Sequence, residues 1–275
     1  MTFRADLHCH TTFSDGSSTP EELILLAKAS GLSAISITDH DTILAYESAI
    51  PIAKKAGIIL GVGAEFSCAF EGMNVHILGY DFDLENVRIQ QFCEEHKKRR
   101  KERNRRILSK LSKALMPIPE EELEKLGGDG NTTLGRPHIA FLLMKYGYVL
   151  SIQEAFNRFL GDDKSCYDPG ETFSASETLE VIHLAGGKGF LAHPHFLSDG
   201  AKAIKLLDLS FDGIECHYSK CLPQQEKRWV KMAEKKGLII SGGSDYHGSI
   251  KSNITLGCSW VDEVTFYRIF QRPIK

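Results

Sequence analysis

Phe3-Arg4-Ala5-Asp6-Leu7-His8-Cys9-His10 is a short run that ends in two histidines separated by one residue. A strand points alternate side chains to one face, so His8 and His10 would stand together at its end. The pattern recurs along the chain. Ala34 to Thr38 runs into Asp39 and His40, and Ile58 to Gly63 runs into Glu65. Val75 to Tyr80 carries His76 near its start, and Gly189 to Ala192 runs into His193. Phe211 to Ile214 runs into Glu215 and His217, and Leu238 to Gly242 runs into Asp245 and His247. Short aliphatic and β-branched runs of this kind predict buried parallel strands.

Helical patterns separate most of them. Pro20 to Ser30 follows a capping signal at Ser18-Thr19 and stops at Gly31. Ile43 to Ala56 stops at Gly57, Ser176 to Ala185 at Gly186-Gly187, and Gln224 to Lys236 at Gly237. Alternating strands and helices predict an α/β fold wound into a parallel sheet or barrel. The rhythm breaks at residues 86–170, which read as helical around a turn-rich Gly127-Gly128-Asp129-Gly130. The expected organisation is a barrel built from 1–85 and 171–275, carrying the metal site. Residues 86–170 would form an inserted helical subdomain covering it.

Composition narrows the classes of function. The 275 residues are 25% charged and 42% hydrophobic, ordinary for a globular protein. A net charge of −3 argues against a chain built as a whole for nucleic acid or an anionic membrane, so phosphate binding would be local. Seven cysteines without a CxxC pair read as reduced thiols in a cytosolic protein. The opening residues lack the apolar core of a secretory signal, and no apolar run approaches the roughly 20 residues that span a bilayer. Cytoplasmic localisation is expected, with no membrane contact and no obligate protein partner.

Parallel barrels place their active sites at the C-terminal ends of the strands. Here those ends carry His8, His10, Asp15, His40, Glu65, His76, His193, Asp245 and His247. A lone histidine is usually a surface or core residue. Nine such groups at strand ends point instead to divalent metal, because imidazole and carboxylate together suit ions of borderline hardness. Cys9 is expected to point away from its two histidine neighbours, and the other cysteines to be small packing residues.

These residues resemble the polymerase-and-histidinol-phosphatase (PHP) family of metal-dependent phosphoesterases. The matching stretches are Asp6-Leu7-His8-Cys9-His10-Thr11, Ser14-Asp15-Gly16, Thr38-Asp39-His40-Asp41, Gly63-Ala64-Glu65, Val75-His76-Ile77-Leu78-Gly79-Tyr80, Ala192-His193-Pro194 and Gly243-Ser244-Asp245-Tyr246-His247-Gly248. The resemblance implies a distorted seven-stranded β/α barrel. It implies one metal on His8, His10, Glu65 and Asp245, a second on Glu65, His76 and His193, and a third on Asp15, His40 and His247. Two or three ions of Mn, Zn, Fe or Mg are therefore expected, with Glu65, Asp245 and His193 bearing the catalytic step. Within the family the chain looks closest to standalone members acting on nucleoside 3′,5′-bisphosphates, nucleoside monophosphates and short 5′-phosphorylated RNA. Ala192-His193-Pro194-His195-Phe196 departs from the Gly-Arg-Tyr that often follows this proline, and Glu215-Cys216-His217-Tyr218 is an unusual version of its segment.

The expected chemistry is hydrolysis of nucleotide phosphate monoesters. A water between ions would have its pKa lowered enough to supply hydroxide near neutral pH. Arg136, His138, Lys164 and His195 are the candidate substrate-binding residues, and Arg suits phosphate through its planar fork. Lys97 to Arg106 holds eight basic residues and one acid, either a solvated helix face or a wall steering polyanions. Three rival readings stand beside it. An amidohydrolase also opens on His-x-His but would need a metal-bridging lysine that no strand end offers. Histidinol phosphate is a rival substrate, and a non-catalytic metal-binding module is a rival of another class.

Overall fold

The computed structural model describes residues 2–128 and 130–275. Asp129 of the glycine-rich turn lies outside them. In chain order the elements are β1 (Ala5–Cys9), α1 (Pro20–Ala29), β2 (Ala34–Ile37), α2 (Ala45–Ala56), β3 (Ile59–Phe70), β4 (Met73–Tyr80), α3 (Val87–Lys113), α4 (Glu120–Leu126), α5 (Arg136–Lys145) and α6 (Ile152–Ala155). They continue with β5 (Phe173–Ser174), α7 (Ala175–Leu184), β6 (Lys188–Leu191), α8 (Gly200–Leu206), β7 (Gly213–Tyr218), α9 (Pro223–Lys236), β8 (Ile239–Gly243) and α10 (Glu263–Ile269). The seven strand runs of the sequence are all present, in the order β1-β2-β3-β4-β6-β7-β8, with the two-residue β5 beside β3.

One strand departs from the parallel expectation. β4 runs antiparallel to both β3 and β6, while the other pairs along the path are parallel. The cause is the link between β3 and β4. Only Glu71 and Gly72 separate them, both at positive φ (48° and 79°), as a two-residue hairpin turn requires. A parallel neighbour would need a crossover of a dozen or more residues.

The sheet curls until its ends nearly meet. The Asp245 amide donates to the His8 carbonyl at 2.7 Å and the His10 amide to the Tyr246 carbonyl at 2.9 Å. Gly243 permits this approach, since a methyl group there would lie 2.4 Å from His8 Cβ and 2.5 Å from its amide nitrogen. Helices form where their ends are signalled. Thr19 and Glu22 make a reciprocal capping box ahead of α1, with Pro20 at its first turn. A main apolar core joins α1, α2 and α7 to the strands through Leu23, Ala49, Leu60, Phe66 and Leu179. A second gathers Leu7, Leu78, Tyr80 and Phe190 around Phe266 and Phe270 of the C-terminal segment.

The chain divides into two compact units. One comprises the chain up to Cys93 together with Phe173–Lys275, and the other is Glu94–Thr172. In the first unit Phe92 and Phe173, where the chain leaves and returns, pack with ring centroids 4.4 Å apart. The second unit has its own core, including Ile107, Leu111, Ile139, Leu143 and Leu160. At least five of the eight basic residues in its run face carboxylates. Lys98 and Arg99 face Glu95, Lys101 faces Glu124, Arg105 faces Glu120 and Arg106 faces Asp168. This pairing favours the solvated helix face over the steering wall. Among the described residues no helix is long and apolar enough to cross a membrane.

Candidate metal centre

Glu65 sits on β3 with its carboxylate fully enclosed. Its Oε2 lies 3.2 Å from His8 Nε2, His10 Nε2 and His40 Nδ1. Its Oε1 lies 2.7 Å from His76 Nδ1 and 2.9 Å from His193 Nε2. Five imidazoles from β1, the loop after β2, β4 and the end of β6 thus converge on one carboxylate. Asp245, just past β8, sets Oδ1 3.4 Å from His8 Nε2 and 3.3 Å from His10 Nε2. Asp15, in the loop after β1, lies 3.3 Å from His247 Nε2 and 3.7 Å from His10 Nδ1 and His40 Nε2. The structure therefore brings all nine strand-end residues together.

Their grouping differs in detail from the resemblance. His8, His10, Glu65 and Asp245 form one set that could hold an ion. His10 also joins Asp15, His40 and His247, and His40 also joins Glu65 and His76.

The donors fit divalent metal on their own geometry. His8 Nε2 and His10 Nε2 face each other at 3.1 Å, and each lies 3.2 Å from Glu65 Oε2. His40 Nδ1 is close to Glu65 yet makes no hydrogen bond with a described residue, and neither does Asp15 Oδ1. Buried polar atoms are rarely left so. A shared cation resolves the arrangement, because lone pairs of both types would point at it. The electrostatics carry the same imprint. Burial alone would lower the pKa of His8, but Glu215, Glu65 and Asp245 hold it well above its usual value. Burial would raise Glu65, but His40, His76, His8 and His10 hold it well below the carboxylate range. His40, less favourably placed, is pushed by burial down to about 3.

A surrounding layer fixes these groups. Glu215 of β7 takes His8 Nδ1 at 2.8 Å on one oxygen and the His193 amide at 2.7 Å on the other. Asp39 accepts from the Thr11 amide and hydroxyl and from Ser14 Oγ, bracing the loop that carries Asp15. Tyr218 and Lys251 donate to Asp245 Oδ2 at 2.5 and 2.6 Å, leaving Oδ1 to the histidines. The sequence marks Glu215 as a strand-end residue but carries no sign of a part for Tyr218 or Lys251. Asp41 accepts from the Ser67 amide and braces β3 beyond Glu65. Two cluster residues, His193 and Asp245, hold left-handed backbone at φ 26° and 56°. Such strain gathers at functional sites. Cys9 turns its buried thiol away, onto the Ser36 carbonyl, and burial pushes its pKa well up. Cys221 and Cys258 are partly or fully exposed, so packing does not account for them.

The candidate substrate residues lie in two places. Arg136, His138 and Lys164 belong to the 94–172 unit. Arg136 pairs there with Asp162 at 2.8 Å, with its guanidinium over the Tyr167 ring, and His138 Nδ1 accepts from the Gly135 amide. Lys164 is exposed. His195 lies in the barrel unit, its ring between Phe196 and Tyr218.

A PHP domain profile matches residues 6–148. A 5′-3′ exoribonuclease of Haemophilus influenzae is 34% identical over 95% of this chain and 93% of its own length. The chain belongs to the PHP family. It is a metal-dependent phosphoesterase, as the resemblance of its motifs implied. A second relative, a 3′,5′-nucleoside bisphosphate phosphatase of Chromobacterium violaceum, is 28% identical over 88% of this chain and 86% of its own length. Among solved structures, a Bifidobacterium adolescentis protein described as a metal-dependent phosphoesterase superposes with a TM-score of 0.89. It is 30% identical, and the match covers 98% of this chain and 95% of that one. An amidohydrolase of Chromobacterium violaceum, with bound sulfate and no metal, gives the same TM-score at 25% identity over 98% and 97% of the two chains.

Proposed function

We propose that this phosphoesterase acts on nucleotides, hydrolysing a phosphate ester of a nucleoside bisphosphate or monophosphate or of the 5′-phosphorylated end of short RNA. The observation that supports it most is the enclosure of Glu65 by five imidazoles inside a group of nine metal-capable side chains. His8, His10, Glu65 and Asp245 would hold one ion, Glu65, His76 and His193 a second, and Asp15, His40 and His247 a third. Bound there, divalent ions supply Lewis acidity and an acidified water. The chain's own residues do the rest. Glu215 orients His8 and His193, while Tyr218 and Lys251 hold Asp245. The cluster itself returns only three negative charges, which leaves a loaded pocket positive and complementary to a phosphate dianion.

Arg136, His138 and Lys164 are proposed as substrate-binding residues of the helical unit, with His195 on the barrel side. The Haemophilus influenzae exoribonuclease is more similar than the bisphosphate phosphatase, at 34% against 28%. An RNA 5′ end is therefore the first substrate to test. Seven unpaired cysteines support a reducing, cytoplasmic setting. The test is a product-release screen of the protein, loaded in turn with Mn, Zn, Fe and Mg, against 5′-phosphorylated RNA, pAp, AMP and histidinol phosphate. Turnover is expected on the nucleotides. A higher kcat/KM for histidinol phosphate would overturn the nucleotide reading.

A further inference from the structure

Phe196 is the most exposed large aromatic among the described residues, at 57%. Scattered exposed apolar side chains are normal and by themselves mean little. This one differs in its position and its support. It ends a single 3-10 turn (Pro194–Phe196) directly after His193, and its amide donates to the His193 carbonyl at 3.0 Å. Its ring centroid is 5.6 Å from the His193 ring, which itself touches Glu65. The ring is steadied from inside the protein. His195 packs at 4.3 Å and Tyr218 meets it edge-on at 5.4 Å, with an interplanar angle of 87°. His195 in turn packs on Tyr218 at 4.6 Å. Three aromatic rings thus clamp one another beside the cluster while Phe196 stays open to solvent.

We infer that Phe196 is the stacking face for the nucleobase of the substrate, held in place by His195 and Tyr218. The inference rests on the nucleotide reading above. A rigid exposed ring pre-pays the ordering that stacking needs. The segment that carries the ring offers no cation to a second phosphate, because no lysine or arginine occurs between His193 and Lys202. The ring neighbours a metal-capable histidine at 5.6 Å, within reach of a nucleoside whose phosphate meets the cluster.

The test compares AMP with ribose 5-phosphate, which lacks the base, on wild type and Phe196→Ala. Stacking on one aromatic ring is worth ~1–3 kcal/mol. The wild-type preference for AMP, as a ratio of kcat/KM values, should therefore fall about fivefold or more in the variant. Phe196→Trp should restore it. Independently, 2-aminopurine ribonucleoside 5′-monophosphate should lose fluorescence on binding wild type and keep it with Phe196→Ala. An unchanged preference in the variant, or quenching that persists without the ring, overturns the inference. A wild type that hydrolyses ribose 5-phosphate as readily as AMP overturns it too, while leaving the phosphoesterase in place. A loaded wild type inert on both, and on the pAp and 5′-phosphorylated RNA of the screen above, overturns the inference together with the nucleotide reading.

Discussion

At the scale of the residue, the demanding feature is a buried carboxylate with five imidazoles at hydrogen-bonding range. An amide in its place has one acceptor oxygen and turns an NH2 group toward nitrogen donors. Glu65→Gln should therefore strip bound metal and abolish turnover, whereas Arg136→Ala should keep the metal and mainly raise KM. Elemental analysis of the two purified variants separates them, and equal metal loss would contradict the assignment. Tyr218→Phe probes the supporting layer. It removes the 2.5 Å hydrogen bond to Asp245 Oδ2 but keeps the ring. Metal affinity should weaken by about 10- to 100-fold, the usual effect of losing an outer-shell partner. Base discrimination should persist. Metal titration followed by the AMP to ribose 5-phosphate ratio reads both. The nine cluster residues were legible because each is a metal-capable type at the end of an apolar run. Tyr218 and Lys251 were not. A tyrosine inside a strand reads as core, and a lysine in a turn reads as surface, until Asp245 is seen between them.

At the scale of the element, the barrel closes because β8 approaches β1 at a glycine. Gly243→Ala would press a methyl group on the His8 backbone, which cannot give way without moving an imidazole of the cluster. Overpacking of this sort costs ~1–3 kcal/mol or more. The expected outcome is a lower urea midpoint together with weaker metal binding. A variant that loses neither would show that the seam is looser than it looks. β1 and β7 each carry a bulge, between Asp6 and Cys9 and between Glu215 and His217. Bulges re-aim side chains, and these two sit where His8 and Glu215 meet. The strands themselves were readable from apolar runs punctuated by glycine. The reversal of β4 was not, since hydrophobic periodicity carries no information on strand direction. Its one local sign is the brevity of Glu71-Gly72.

At the scale of the whole molecule, the cluster concentrates opposing titrations in the metal-free chain. His10 is lowered by burial but raised further by Asp245 and Glu65, to about 9. Its contribution to stability is full below the unfolded pKa of about 6.5 and is lost as pH rises through 9. His40 is depressed to about 3, so its contribution is present above about 6.5 and lost as pH falls. In chelator the barrel unit should be most stable near neutrality and weaken on both sides. Saturating metal should raise its melting temperature, since a ligand at a hundredfold its Kd adds ~2.7 kcal/mol per site. Thermal scans across pH, with and without chelator, check both. A melting temperature indifferent to metal would contradict the proposed site. Finally, Phe92 and Phe173 touch, so the 94–172 segment enters and leaves the barrel unit through a single doorway. Such a segment is a cassette. Bridging residues 93 and 173 with a few glycines and serines adds little closure entropy. The excised protein should still fold and take up metal, which elemental analysis of the purified barrel unit would read directly.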